Sequence, residues 1–257
     1  MIKFITGLMV LFSLVILPVG DMWAMEGGSA VLPLLPKTKA TEEGLCDPKY
    51  AFITNIPLRG QETGSWCWAA AQQMVMWYRG PDYYNEQCTI ANAVLKNAGY
   101  ITPSENCCLD DRKNLPMCAR TAWPNFSLVG FNFTQVDVTN VNDPLGSGGV
   151  DGWDVLKAQI CHGNPFLITL KRPTSSGYIS HQYIVNGYQD QRLGSVLRTG
   201  TTLYLGRVVY VIDPSSPYFD NQNHELPDLK VWSYGAFKFD IDGNAVHSRD
   251  FIDISPQ

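Results

Sequence analysis

Charge is scarce in this chain of 257 residues: Asp, Glu, Lys and Arg together make 17%. The balance is negative, 24 acidic against 19 basic side chains for a net charge of −5. Phosphate binding needs a basic face, so nucleic acid is not expected as a partner. No run of like charge reads as an interaction tail. No internal repeat recurs at a fixed period, which excludes solenoids and propellers. After the N-terminus no apolar stretch reaches the roughly 20 residues that a membrane-spanning helix needs.

What is present is a chain able to bury a large core, 45% hydrophobic and 12% aromatic. Such a composition excludes wholesale disorder. Lys3 followed by the apolar run Phe4 to Val19, with small Ala24 beyond, has the layout of an export signal over residues 1–24. The run is too short for a retained membrane anchor, the competing reading. Residues 25–45, rich in Gly, Pro, Thr and charge, read as a leader or linker. Residues 46–257 read as one domain, secreted or periplasmic, with no membrane contact once the signal is removed and a monomer expected.

Within that domain helices come first. Ser65 to Tyr78 (SWCWAAAQQMVMWY) predicts a helix capped by Ser65 and stopped by Gly80-Pro81. It is apolar nearly all round, hence central and buried. Gln87 to Ala98 and Gly152 to Ile160 are further helix candidates. Strands follow at Pro165 to Lys171, Gln182 to Tyr188, Leu203 to Ile212 and Lys230 to Phe239, each rich in Val, Ile, Tyr or Phe. That order predicts an α+β domain with helices packed on an antiparallel sheet.

The chemistry centres on Gln61-Glu-Thr-Gly-Ser-Trp-Cys67-Trp68. A cysteine in the first turn of a helix meets the positive end of the helix dipole, which favours the nucleophilic thiolate. Gln61, six residues earlier, could donate its amide to the oxyanion formed on acyl attack. A Gln, a five-residue turn and Cys-Trp opening a buried helix resemble the active-site entry of papain-like cysteine proteases. Ser-Trp-Cys-Trp-Ala-Ala with Gln73-Met74 is similar to a bacterial branch, that of the secreted effector proteases of plant pathogens and of C39-like peptidases. Trp66 before Cys67, and the lack of a further cysteine there, separate the chain from the plant and lysosomal enzymes. The resemblance implies a central helix carrying the cysteine, packed against an antiparallel sheet or half-barrel carrying the base and its orienter.

Of four histidines, His181 alone opens a strand-like run, Ser180-His-Gln-Tyr-Ile-Val-Asn-Gly-Tyr188. In the family that this resembles, the base begins a strand within a Gly-His-Ala-Val-type motif ending in Gly-Tyr. Here Ser180 replaces the Gly, and Gln182 the small residue. Asp213 ends the run Arg207-Val-Val-Tyr-Val-Ile212, is followed by Pro214, and stands 32 residues after His181. The resemblance makes it the orienting acid and makes Trp68 a substrate-binding residue. Gly152 to Ile168 is implied to be scaffold, a helix leading to a strand beneath the base. His162, His224 and His247 sit in polar, loop-like contexts and read as surface residues; residues 218–257 carry no motif.

Seven cysteines less one nucleophile leave Cys46, Cys88, Cys107, Cys108, Cys118 and Cys161. An even remainder in an exported chain suggests up to three disulfides, with connectivity open. The rival is zinc held by Cys88, Cys107, Cys108 and Cys118, but ligand pairs normally lie two to four residues apart. No metal or organic cofactor is implied. The expected activity is hydrolysis of a protein or peptide through an acyl-enzyme on Cys67. Alternatives are deamidation, transpeptidation or cell-wall amidase chemistry at the same site, or a non-catalytic binding protein that keeps the fold.

Overall fold

A computed structural model describes residues 49–138, 152–175, 177–190, 195–196, 202–203, 206–219, 225–234 and 245–257. The expected signal segment, the linker, Cys46 and His224 lie outside these residues. All the described residues belong to one unit.

The first helix, α1 (Cys67–Arg79), is buried continuously from Cys67 to Met76, as its all-round apolar sequence requires. It starts two residues later than Ser65 predicts. Trp66 holds the cap position and no side chain caps it. Ser65 instead donates its backbone N–H to Thr63 Oγ1 within the preceding turn. Leaving the first helical N–H groups without a side-chain cap keeps donors next to Cys67. Gly80 ends the helix, and Pro81 opens a short 3₁₀ turn, Pro81–Tyr83. Helices α2 (Gln87–Asn97) and α3 (Gly152–Cys161) fall within a residue of their expected bounds.

The sheet is antiparallel and seven-stranded. Its strands are β1 (Tyr50–Phe52), β2 (Phe131–Asp137), β3 (Phe166–Thr174), β4 (Gly177–Asp190), β7 (Arg207–Phe219), β8 (Glu225–Ser233) and β9 (Val246–Pro256). The short strands β5 (Ser195–Val196) and β6 (Thr202–Leu203) pair separately. The order β2-β9-β3-β4-β7-β8 places β4 at the centre, and β1 pairs with its C-terminal end. The architecture is therefore α+β, helices against an antiparallel sheet.

The expected strands overlap β3, β4, β7 and β8 with other bounds, whereas β1, β2 and β9 were not expected. β4 begins at Gly177, so His181 lies within the strand rather than at its start. The tail assigned no motif supplies β8 and β9, and β9 inserts between β2 and β3. His247, expected on the surface, is 1% exposed on β9 and bonds Asp250 at 2.5 Å. His162 is exposed, as expected.

Two disulfides join Cys88 to Cys108 and Cys107 to Cys118. These four are the cysteines the zinc alternative required. Cys161 is also disulfide-bonded, and Cys67 is the one free thiol among the described residues. Disulfides persist in oxidising compartments. No described helix is long and apolar enough to cross a membrane. The disulfides fit an extracellular or periplasmic protein.

Candidate active site

Three separate stretches of chain bring Cys67, His181 and Asp213 together. Cys67 opens α1 and is 4% exposed. His181 stands in the middle of β4, paired across the ladder with Leu170. Asp213 lies on neighbouring β7, where β4–β7 pairing ends at Ile184 opposite Ile212. Pro214 has no N–H to extend the ladder, and Asp213 turns to His181.

The imidazole has a partner on each side. Its Nε2 lies 2.6 Å from Asp213 Oδ1, and the Cys67 side chain is near enough to favour the charged ring. With Nε2 on the carboxylate, Nδ1 is the nitrogen left for the sulfur. Tyr183, two residues along the same strand, packs edge-on to the ring at 4.5 Å between centroids. Trp232 backs Tyr183 at 4.7 Å. The ring is thereby held by packing as well as by hydrogen bonds.

Burial disfavours a charged imidazole, yet hydrogen bonds and charge from Asp213 and Cys67 outweigh it and raise the His181 pKa to about 9. Burial likewise works against ionised Asp213, but His181 and Lys230 together hold its carboxyl well below the usual range. The carboxylate is thus negative and the imidazole positive at neutral pH.

Asp213 has more partners than its sequence context suggests. Oδ1 accepts from the Ser215 backbone N–H at 2.9 Å and from Ser215 Oγ at 2.8 Å. Ser215 Oγ also lies 3.2 Å from His181 Nε2. Oδ2 accepts from Lys230 Nζ on β8. Ser215 could have been read from the Asp-Pro-Ser turn, since Asp side chains commonly accept the N–H two residues on. Lys230 carried no such signal, because only sheet pairing brings β8 beside β7.

Gln61 is tied to this corner through its backbone N–H, which donates to Pro214 O at 3.0 Å. Its side-chain Oε1 is buried without a partner. A buried clamp holds the residues on either side: Gln87 Nε2 donates to Gly60 O at 2.7 Å, and Gln87 Oε1 accepts from Glu62 N at 2.9 Å. Gln87 also reaches Gln73 Oε1 at 3.2 Å, linking α2 and α1 to the Gln61 turn. Gln73, part of the resemblance to the bacterial branch, forms this link.

Trp68, expected to touch substrate, is fully buried and donates its indole N–H to Arg120 O at 3.2 Å. It offers no surface to a ligand in this conformation. With Trp66 Nε1 on Cys118 O at 2.8 Å, and Gln72 exchanging two hydrogen bonds with the Asn125 backbone, it laces the 118–125 loop along α1. Gln182, beside His181, is buried with neither amide atom partnered, opposite Thr169, whose hydroxyl is also unpartnered.

A thiol, an imidazole and a carboxylate in series can perform nucleophilic acyl transfer. No family model matches the chain, and no curated protein matches it.

Proposed function

We propose that this chain is an exported cysteine peptidase of papain-like kind, cleaving peptide bonds through a thioester on Cys67. The observation that carries the reading is the hydrogen-bonded pair His181–Asp213 acting beside Cys67, the one free thiol of the described residues. The cysteine at the head of a buried helix and the His and Asp on adjacent antiparallel strands are the arrangement that the sequence resemblance implies.

In this mechanism the Cys67 thiolate attacks the carbonyl carbon, and the carbonyl π electrons move onto oxygen. The Cys67 backbone N–H and the Gln61 amide donate to that oxyanion. Protonated His181 delivers its proton to the leaving amine as the C–N bond breaks, giving the thioester. Neutral His181 then takes a proton from water, whose oxygen attacks the thioester carbon and releases the acid and the Cys67 thiolate, leaving His181 protonated as at the start. Asp213 holds the ring orientation and stabilises the imidazolium at each stage. An exported location, with residues 1–24 removed as a signal, belongs to the same reading.

The test is cleavage-site proteomics with wild type against Cys67→Ala. Cleavages present with wild type and absent with Cys67→Ala are expected. Equal turnover by Cys67→Ala overturns the mechanism. Amide exchange without cleavage assigns the same site to deamidation or transpeptidation. If E-64 fails to react with the reduced protein, a non-catalytic binding role stands instead.

A further inference from the structure

A cavity of about 350 Å³ opens between α2, the 121–125 loop and strands β2, β4 and β9, with Tyr100, Trp123, Asn125, Phe133, Ser180 and Arg249 among its lining. It touches the strand that carries His181. Ser180 immediately precedes His181 on β4. The wall containing Trp123 belongs to the loop that Trp66, Trp68 and Gln72 lace along α1 behind Cys67.

Its charge runs against that of the molecule. The whole chain carries −5, yet three cations stack on the aromatic rings of this wall. Arg249 lies 4.3 Å from the Trp123 ring centroid, Lys171 lies 5.2 Å from the same ring, and Arg120 lies 4.3 Å from that of Tyr100. Among the described residues one carboxylate answers them: Asp137, bonded by Arg249 Nε at 2.5 Å. That contact leaves the two terminal guanidinium nitrogens of Arg249 available, the pair that binds a carboxylate in bidentate fashion. Stacking on indole holds both cations with little rotamer freedom, which lowers the entropy lost on binding.

We infer that this cavity is a substrate subsite for an acidic side chain, Arg249 and Lys171 supplying the charge and Trp123 the wall. The inference rests on the peptidase reading and names the substrate class it would take: peptides carrying Glu or Asp on the acyl side of the cleaved bond.

Peptides with a thiol-directed acyloxymethyl ketone, bearing Glu or Gln at each of the four acyl-side positions in turn, separate the two claims. At one position the Glu probe should label Cys67 about tenfold faster than its Gln counterpart, the range for one charge-assisted contact. The Glu/Gln ratio should fall below about threefold in Arg249→Gln and in Lys171→Gln, and survive in Arg249→Lys. Equal rates at all four positions, or a ratio unchanged in both neutral variants, overturn the subsite while leaving the peptidase standing. Absence of Cys67 labelling by every probe overturns the peptidase instead. Fluorescence anisotropy of Glu against Gln peptides on the Cys67→Ser chain then decides the subsite: tighter Glu binding lost in Arg249→Gln supports it, and equal binding refutes it.

Discussion

Replacing Asp213 by Asn isolates the carboxylate's effect while keeping its shape. In the native protein the His181 pKa rises from 6.5 to about 9, against burial that pulls it down. At about 1.4 kcal/mol per unit, the net preference for charged imidazole is on the order of 3 kcal/mol, shared between Asp213 and Cys67. An Asn removes the negative charge at 2.6 Å and leaves the burial. The midpoint should therefore drop by at least about one unit towards the ordinary histidine range. Histidine-selective NMR on ¹³C-labelled protein, with His181→Ala to assign the signal, reads this midpoint without any substrate. Stability should change in step. A histidine whose folded pKa is raised stabilises the fold fully below its unfolded value of 6.5, and that contribution vanishes as pH rises through about 9. By urea unfolding, Asp213→Asn should thus lose most relative to wild type at pH ~6 and less at pH ~10. Lys230 also loses its partner in this variant, so Asp213→Asn with Lys230→Met serves as control for the orphaned ammonium. A His181 midpoint within about half a unit of wild type in both variants would refute the account of the site's electrostatics.

Gln61→Ala should lower kcat by about 10²–10³-fold with little change in unfolding free energy, the cost of one oxyanion donor; an unaltered kcat removes Gln61 from the mechanism. Gln87→Ala breaks the clamp on Gly60 and Glu62 and leaves Gln73 Oε1 without a donor. It should cost about 1–3 kcal/mol in urea unfolding and lower kcat as the Gln61 turn loosens; full activity would show that the turn is held elsewhere. Gln182 is buried with its amide unpartnered, so near-isosteric Gln182→Met should stabilise the protein by about 1 kcal/mol. A destabilised Gln182→Met protein refutes that expectation and points to an ordered water on the amide.

Which residues could do chemistry was legible in the sequence because each carries a local signal. Cys67 opens an unbroken apolar helix, His181 stands in an aliphatic run, and Asp213 ends another just before a proline. The end of α1 and the boundaries of α2 and α3 were legible for the same reason, since 3.6-residue periodicity and Gly-Pro stops act over one or two turns. The α+β class followed from the order of those patterns. Misread features depended on partners distant in the chain. Ser65 has the chemistry of a cap, yet the turn at Thr63 uses it otherwise. His247 looks polar and exposed until β9 inserts between β2 and β3 and buries it beside Asp250. Trp68 looks like a contact for substrate until the loop at Arg120 closes over it.

The sequence by itself therefore determined the helices, the fold class, the candidate nucleophile, base and orienter, and an even remainder of cysteines. Only the tertiary structure decided how the site is held. It chose Cys88–Cys108 and Cys107–Cys118 from many pairings, brought Lys230 and Ser215 onto Asp213, and clamped the Gln61 turn with Gln87. The reason is physical. Periodicity and turn chemistry act between neighbours along the chain, whereas strand order, disulfide pairing and the partners of a buried charge are contacts between segments whose separation in sequence carries no information about their distance in space.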